Sequence, residues 1–411
     1  MNNVKEIIAI YVDSIEKYHF FRRFHKPAIV CGHELVFFTN RLSVKCSGYR
    51  DSTEVHLLKS TRIACHPVSP INSREALDGS LSENEVKRLY EAVTETFEKV
   101  FTNKKITTIF IFGGRNTAEL SMRRNAEKHA IKTLYFELAN LPGKIFVDPQ
   151  GTNADSSIHS NRSQLEYFQV DSKTWEAWIG DYLRSKSVQL APPQSIKKRP
   201  IHLSYLLDYM GFHVLNIPYE NNRSLIRTLR QKLWQRRFQY DSDTYNILKG
   251  GFIFFPMQVS NDAQLLFHSE IDNITAIRHC ISEANRTGLD LVVKIHPAEE
   301  DPREYARVIE LRKTHPFFIV DAPSIAIVQH CAKVITINST VGLEAKLIGK
   351  PVDFLGRSVY REMNNKLLKN YIHSFLIDID YFNYSPISID SYRSLLMRAE
   401  CPSSPYDPNQ K

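Results

Sequence analysis

Two stretches in the second half of the chain place reactive side chains directly after short apolar runs: LVVKIHP at 291–297 and VITINSTVG at 334–342. In the first, Leu291, Val292 and Val293 lead to Lys294 and His296. In the second, Val334, Ile335 and Ile337 lead to Asn338, Ser339 and Thr340. Apolar runs bounded by turn chemistry read as buried parallel strands. Side chains just beyond the carboxyl ends of such strands stand where open α/β sheets take their ligands. Lys294 and His296 flank Ile295, so on a strand they point to one face. Ser339 and Thr340 open a helical pattern, and Gly342 lets that helix approach closely. A helix start offers free N–H groups at the positive end of the dipole. A cation, an imidazole and a helix N-terminus around one crevice suit a nucleotide phosphate. The alternative is a hydroxyl N-cap and a core histidine.

Carboxylates occupy comparable places. Glu137 follows the apolar run LYF and precedes a loop with Pro142 and Gly143. A carboxyl at a strand's carboxyl end that is partly buried is raised in pKa and suited to proton transfer; otherwise Glu137 is an ordinary loop carboxylate. Asp262 sits in QVSNDAQ after the strand pattern FIFFPM, among Gln258, Ser260, Asn261 and Gln264, which could orient it. The plainer reading of Asn261-Asp262 is a cap on the following turn. Asp148 and Asp155 bracket the loop DPQGTNAD, where Pro149 and Gly151 favour a turn. Gly113-Gly114-Arg115-Asn116 follows ITTIFIF and opens another helix. The glycine pair permits close backbone approach, and Arg115 can hold a carboxylate or phosphate through two parallel bonds. The spacing is short of GxGxxG, so no dinucleotide site is assigned.

These residues need a scaffold of alternating strands and helices. EIIAIYV, ELVFFT, ITTIFIFGG and KTLYFE are strand patterns in the first half, with helical spacing over 85–101 and 117–130. Ser82 and Glu85 form a candidate capping box. After the linker-like QLAPPQSIKKRP at 189–200, the alternation resumes near Gly250 with GGFIFFPMQ and runs to PVDFLG at 351–356. The chain of 411 residues is too long for one ordinary core. The predicted fold is therefore α/β with two Rossmann-like domains: 1–190, a linker with a basic amphipathic helix over 191–249, a second domain over 250–365, and C-terminal helices with a polar tail over 366–411. No run approaches the roughly 20 apolar residues of a membrane span. The N-terminus reads as a first strand and not as a signal peptide. Six scattered cysteines without a CxxC pair fit a reducing cytoplasm and no zinc site. The net charge of +8 favours anionic partners.

Three segments, FELANLPGKIFVDPQGTNADS at 136–156, FFPMQVSNDAQLLFHS at 254–269, and KIHP with INSTVGLEAKLIGKPVDFLG, resemble in order and spacing the capsule polysaccharide biosynthesis family. That family includes retaining β-Kdo transferases, which use the cytidine-activated acidic sugar CMP-Kdo. The resemblance implies a GT-B-like glycosyltransferase architecture, with the second domain holding the donor. It implies Glu137 as acid/base and Asp262 as the nucleophile of a double displacement. It implies Lys294, His296, Asn338, Ser339, Thr340 and Gly342 around the phosphate of the leaving CMP. Arg115, Asn153 and Gln258 are then expected on sugar or acceptor. DSD at 241–243 lies in a polar linker and DID at 378–380 near the tail, so neither is a placed metal motif, and neither metal nor other cofactor is expected.

The expected activity is transfer of Kdo to a lipid-linked bacterial surface glycan. The alternatives are a related transferase using CMP-sialic acid and a non-catalytic capsule assembly or export partner. The segment RSLIRTLRQKLWQRRF at 223–238 holds six basic residues and no acid, with Leu225, Ile226, Leu229 and Leu233 on one helical face. It reads as a contact with the anionic inner-membrane surface from the cytoplasmic side, against the alternative of a helix packed on its own domain. Nucleic acid is not an expected partner, because no recognition motif accompanies the charge.

Overall fold

In the computed structural model, residues 6–59, 71–188, 203–218, 242–299 and 301–400 are described. The segment 223–238 lies outside them. The chain divides into two compact units.

The first unit is built on a seven-stranded sheet. Its strands are β1 (Glu6–Tyr11), β2 (His33–Thr39), β3 (Val55–Leu57), β4 (Ile106–Phe112), β5 (Lys132–Leu138), β6 (Lys144–Asp148) and a last strand, Ile377–Asp378. The order across the sheet is β3-β2-β1-β4-β5-β6 and then the last strand. The first five pair in parallel, while β6 runs antiparallel to β5 and the last strand antiparallel to β6. The continuous apolar runs exist because both faces are covered. Ile8, Ile10 and Val12 enter one core cluster, and Ile7, Ala9 and Tyr11 the other. The helix Glu83–Asn103 starts with the capping box of Ser82 and Glu85, as the sequence predicts.

The second unit carries a wholly parallel five-stranded sheet of β7 (Phe252–Pro256), β8 (Asp290–Lys294), β9 (Phe318–Ile319), β10 (Lys333–Thr336) and β11 (Val352–Phe354), in the order β9-β8-β7-β10-β11; the last strand of the first sheet is thus β12. Ile253 and Phe255 face one core cluster, Phe252 and Phe254 the other. Both sheets share one order: the first strand is central, the next two lie to one side and the following two to the other. Each unit is therefore Rossmann-like, with its topological switch point between β1 and β4 or between β7 and β10.

The boundaries differ from those predicted. The described residues after Phe168, up to Val188, belong to the second unit. There the helix Ser172–Val188 buries Tyr182, whose hydroxyl donates to Glu344 (3.0 Å), and Lys186 pairs with the same carboxylate. The tail from Tyr371 returns to the first unit. Ile377 pairs with Ile145, and the buried Arg398 donates to the Val147 carbonyl (2.7 Å). Within the expected linker, the helix Leu203–Leu215 packs on the first unit, while residues 242–249 go with the second. Among the described residues, no helix is long and apolar enough to cross a membrane.

Candidate functional site

At the carboxyl edge of the second sheet, the loops after β7, β8 and β10 are tied to one another. Gln258, after β7, donates through its side-chain amide to Asn338 Oδ1 (2.7 Å) and accepts the Asn338 N–H (3.0 Å). Asn338 then donates to the Gln264 carbonyl (2.9 Å). Asn273 holds Gln258 from beneath: its Oδ1 accepts the Gln258 N–H (3.1 Å) and its Nδ2 donates to the Gln258 carbonyl (2.8 Å) and to Glu304 (3.0 Å). All four side chains are buried, so each polar atom needs its partner, and the network fixes the loop after β10 against the loop after β7. Burial raises the Glu304 carboxyl, against the Asn273 amide that lowers it.

The loop after β8 is tied in by Glu299. This buried carboxylate accepts the Ser260 N–H (2.7 Å), the Ser260 hydroxyl (3.1 Å) and the Asp301 N–H (2.8 Å). His296 stands in the same loop, its Nδ1 turned to the Ala298 N–H (3.1 Å). Burial lowers its pKa below 6.5, the nearby Asp262 and Glu299 charges oppose that shift, and Lys294 adds to it. Lys294 is buried at the end of β8 and donates to the Ala322 carbonyl. Burial lowers its pKa too, with Asp321 and Glu344 opposing.

Ser339 is the N-cap of the helix Thr340–Leu347, its hydroxyl accepting the Val341 N–H (3.2 Å). Thr340 is the first helical residue. At Gly342 an added Cβ would stand 2.5 Å from the Phe354 ring, so the glycine is what lets this helix lie on β11. Asp262 caps the helix Ala263–His268, accepting the Gln264 N–H (2.7 Å). The second unit thus brings Asp262, His296, Asn338, Ser339 and Thr340 to one edge of one sheet, with Gln258 and Glu299 as the ties between loops.

In the first unit the corresponding edge is differently furnished. Glu119 turns back on the Gly113–Asn116 loop and accepts the N–H groups of Gly114 (2.9 Å), Arg115 (3.0 Å) and Asn116 (3.0 Å). Lys17 lies between Glu119 (3.4 Å) and Asp13 (2.7 Å). Burial raises Glu119, and Lys17 pulls it down without cancelling the shift. Burial works to lower Lys17, but Asp13 and Glu119 raise it well above its ordinary value. Arg115 pairs with Asp155. Asp148 is fully buried and accepts N–H groups from Gln150, Gly151 and Ser157, which is turn architecture. Glu137 lies in β5, its Oε1 accepting the Leu138 N–H (3.0 Å). Asn153 is held with φ at +54°, and its Nδ2 is buried without a hydrogen-bond partner.

Several of these residues escape a sequence reading. Asn273, Glu299 and Glu304 carry the ties in the second unit; Asn273 and Glu304 sit in no motif, and Glu299 closes the stretch VVKIHPAEE without a role read from it. Asn40, at the end of β2, is 3% exposed and neither atom of its amide has a partner. Its signal was present, since TN follows the run ELVFF, as NST follows VITI.

Residues 107–363 match the family described as "Capsule polysaccharide biosynthesis protein". The chain is 25% identical over 293 residues to the capsule polysaccharide export protein KpsS of Escherichia coli, covering 65% of this chain and 71% of that one. It is 22% identical over 304 residues to the capsule polysaccharide modification protein LipB of Neisseria meningitidis serogroup B, covering 66% and 68%. Among solved structures, KpsC of Thermosulfurimonas dismutans, described as a beta Kdo 2,7 transferase, aligns over 96% of this chain and 99% of its own at 14% identity, with a TM-score of 0.42.

Proposed function

The chain belongs to the capsule polysaccharide biosynthesis family, and on that premise we propose that it is a retaining glycosyltransferase moving Kdo from CMP-Kdo to a lipid-linked glycan. The observation that carries the reading is the carboxyl edge of the second sheet. There a helix N-terminus capped by a neutral hydroxyl, a half-buried imidazole with a lowered pKa and a capping carboxylate stand at the ends of neighbouring parallel strands. The donor phosphate would sit at Ser339 and Thr340, with His296 beside it and Lys294 behind the same edge. Gln258 and Asn338 hold the two loops in register. A monophosphate leaving group carries no diphosphate to bridge, so the proposed chemistry uses no metal.

The Asp262 carboxylate attacks the anomeric carbon, the bond from that carbon to the phosphate oxygen breaks, and CMP departs with the electron pair. Glu137 then takes the proton of an acceptor hydroxyl, whose oxygen displaces Asp262. Two inversions give net retention. In the first unit, Arg115 and the Asn153 amide are the groups offered to sugar or acceptor. A buried donor without a partner is unfavourable until a ligand oxygen accepts from it, which suits Asn153 to that role.

The second reading, a capsule assembly or export partner without catalysis, is favoured by the export function in the name of the Escherichia coli relative. Incubation with CMP-Kdo and synthetic acceptors separates the two, with CMP release and glycosylated product followed by mass spectrometry. An enzyme gives both. A partner protein gives neither, even where CMP raises its melting temperature. In Glu137→Gln the first displacement should proceed and the second stall, leaving a Kdo adduct on Asp262 in the intact mass. An adduct on another residue would reassign the nucleophile.

A further inference from the structure

The amino edge of the first sheet, opposite the edge that holds Glu119 and the Gly113–Asn116 loop, encloses a cavity of about 200 Å³. Its walls come from the first residues of the strands and from the C-terminal helix Ile389–Glu400 packed on them. Register explains the opening. Ile7 pairs with Ile106 but Ile8 pairs with Thr108, so β4 uses one residue more than β1. The extra residue, Thr107, donates through its hydroxyl to the Ile7 carbonyl (3.3 Å). Such a bulge bends its strand and interrupts regular pairing. Beyond it, Ile8, Thr108 and Lys132 stand side by side in one cross-strand row. Phe110 and Leu134, two residues further along their strands, share a core cluster with Ile8 and with Leu395 and Ala399 of the helix, so the row faces that helix.

Ile8, Leu396 and Ala399 form the apolar wall of the cavity. Among them stands Thr108, which is 6% exposed and whose hydroxyl makes no hydrogen bond with any described residue. A buried hydroxyl left in that state is unfavourable until a ligand oxygen meets it. Lys132, its neighbour in the row, also lines the cavity and is exposed at the mouth. The remaining charged groups are turned to one another. Glu6 lies 3.6 Å from His33 Nε2, and His33 Nδ1 meets the Tyr392 hydroxyl (3.0 Å). The row therefore presents a hydroxyl and a cation to one anionic group, beside an apolar wall. Size sets the rest. A dry cavity of about 150 Å³ takes a benzene ring, so the 200 Å³ here admits such a ring with a carboxylate on it.

We propose that this cavity binds a small organic carboxylate of benzoate size, its apolar body against Ile8, Leu396 and Ala399 and its carboxylate on the Thr108 hydroxyl beside the Lys132 ammonium. A ligand seated there touches both the strand starts and the C-terminal helix, and so clamps the returning tail on the first unit. The site lies away from the carboxyl edges proposed for sugar transfer and does not depend on that reading.

The test uses the full chain and benzoate, with benzyl alcohol and benzylamine as probes of similar shape and different charge. At constant ionic strength, benzoate should raise the melting temperature saturably and by more than either probe. It should also shift the methyl resonances of Ile8, Leu396 and Ala399 in NMR spectra. Thr108→Val keeps a β-branched side chain of the same shape, so it should fold with wild-type stability and weaken benzoate binding about tenfold. Lys132→Gln, at an exposed position, should weaken it severalfold and leave benzyl alcohol unaffected. A benzoate without saturable effect, an equal effect of benzylamine, or an unchanged affinity in Thr108→Val overturns the proposal. So do benzoate-induced shifts confined to the second unit, which would seat the anion elsewhere.

Discussion

The helix start after β4 and the helix start after β10 occupy equivalent positions at the switch points of two sheets with the same strand order. In the first unit, three loop N–H groups converge on the buried Glu119, and the half-buried Lys17 and Asp13 complete a charge cluster behind it. In the second, a serine hydroxyl caps the helix, and the supporting network is made largely of neutral amides. One seat for an anion is filled by the chain's own carboxylate; the other is capped by a neutral serine hydroxyl. A shared topology thus places the two helix starts alike, and one side chain, Glu119, takes up the loop N–H groups of the first.

The largest effect should come from the second unit's chemistry. Asp262→Asn keeps a good N-cap, so folding should hold, while turnover of CMP-Kdo should fall by about four orders of magnitude. Full activity in that variant would leave Asp262 a cap alone. Next in size is the filled seat. Glu119→Ala deprives Lys17 of one buried partner and should cost about 3 kcal/mol in denaturant unfolding. Added sulfate should recover part of that loss by taking the vacated N–H groups; wild-type stability in the variant would make the plug dispensable and the contrast between units empty. Ser339→Ala should be milder, at about 1 kcal/mol of stability, yet weaken CMP binding in a thermal-shift titration. Loss of stability without loss of CMP protection would make Ser339 structural, like Glu119. The smallest effect is a pH dependence. Because burial holds His296 below 6.5 in the folded protein, the unfolded chain takes up the proton first as pH falls through that value. The histidine's contribution is therefore present above 6.5 and lost on acidification. Relative to His296→Gln, wild-type protein should lose stability between neutral pH and pH about 5; parallel curves would show that His296 is protonated equally in both states.

The fold was legible where the signal is local. Runs such as IIAIY, IFIF and FIFF announce strands because both faces of a doubly wound sheet are covered, and Ser82 with Glu85 announces a helix start. The tail was not legible: β12 is two residues long, and its pairing with β6 links positions more than 200 apart, which no local pattern encodes. The candidate site divides in the same way. Asn338, Ser339 and His296 stand next to the runs that position them. Asn273, Glu299 and Glu304 act through partners distant in sequence, and on the chain they look like any surface polar residue. Glu119 is the instructive case, because Asn116 and Glu119 have the spacing of a capping box, yet nothing local tells that the carboxylate also takes the glycine loop's N–H groups and faces the half-buried Lys17.

The return of the chain to β6 has a consequence for synthesis at the ribosome. The antiparallel edge of β6 has no neighbour until Ile377 and Asp378 have been translated and have left the exit tunnel, after the whole second unit. Throughout that interval the nascent first sheet displays an open edge of unpaired N–H and C=O groups, a template for pairing between chains on one polysome. The first unit is thus the first to begin folding and the last to be finished, and a ribosome stalled between the two units leaves a sticky product.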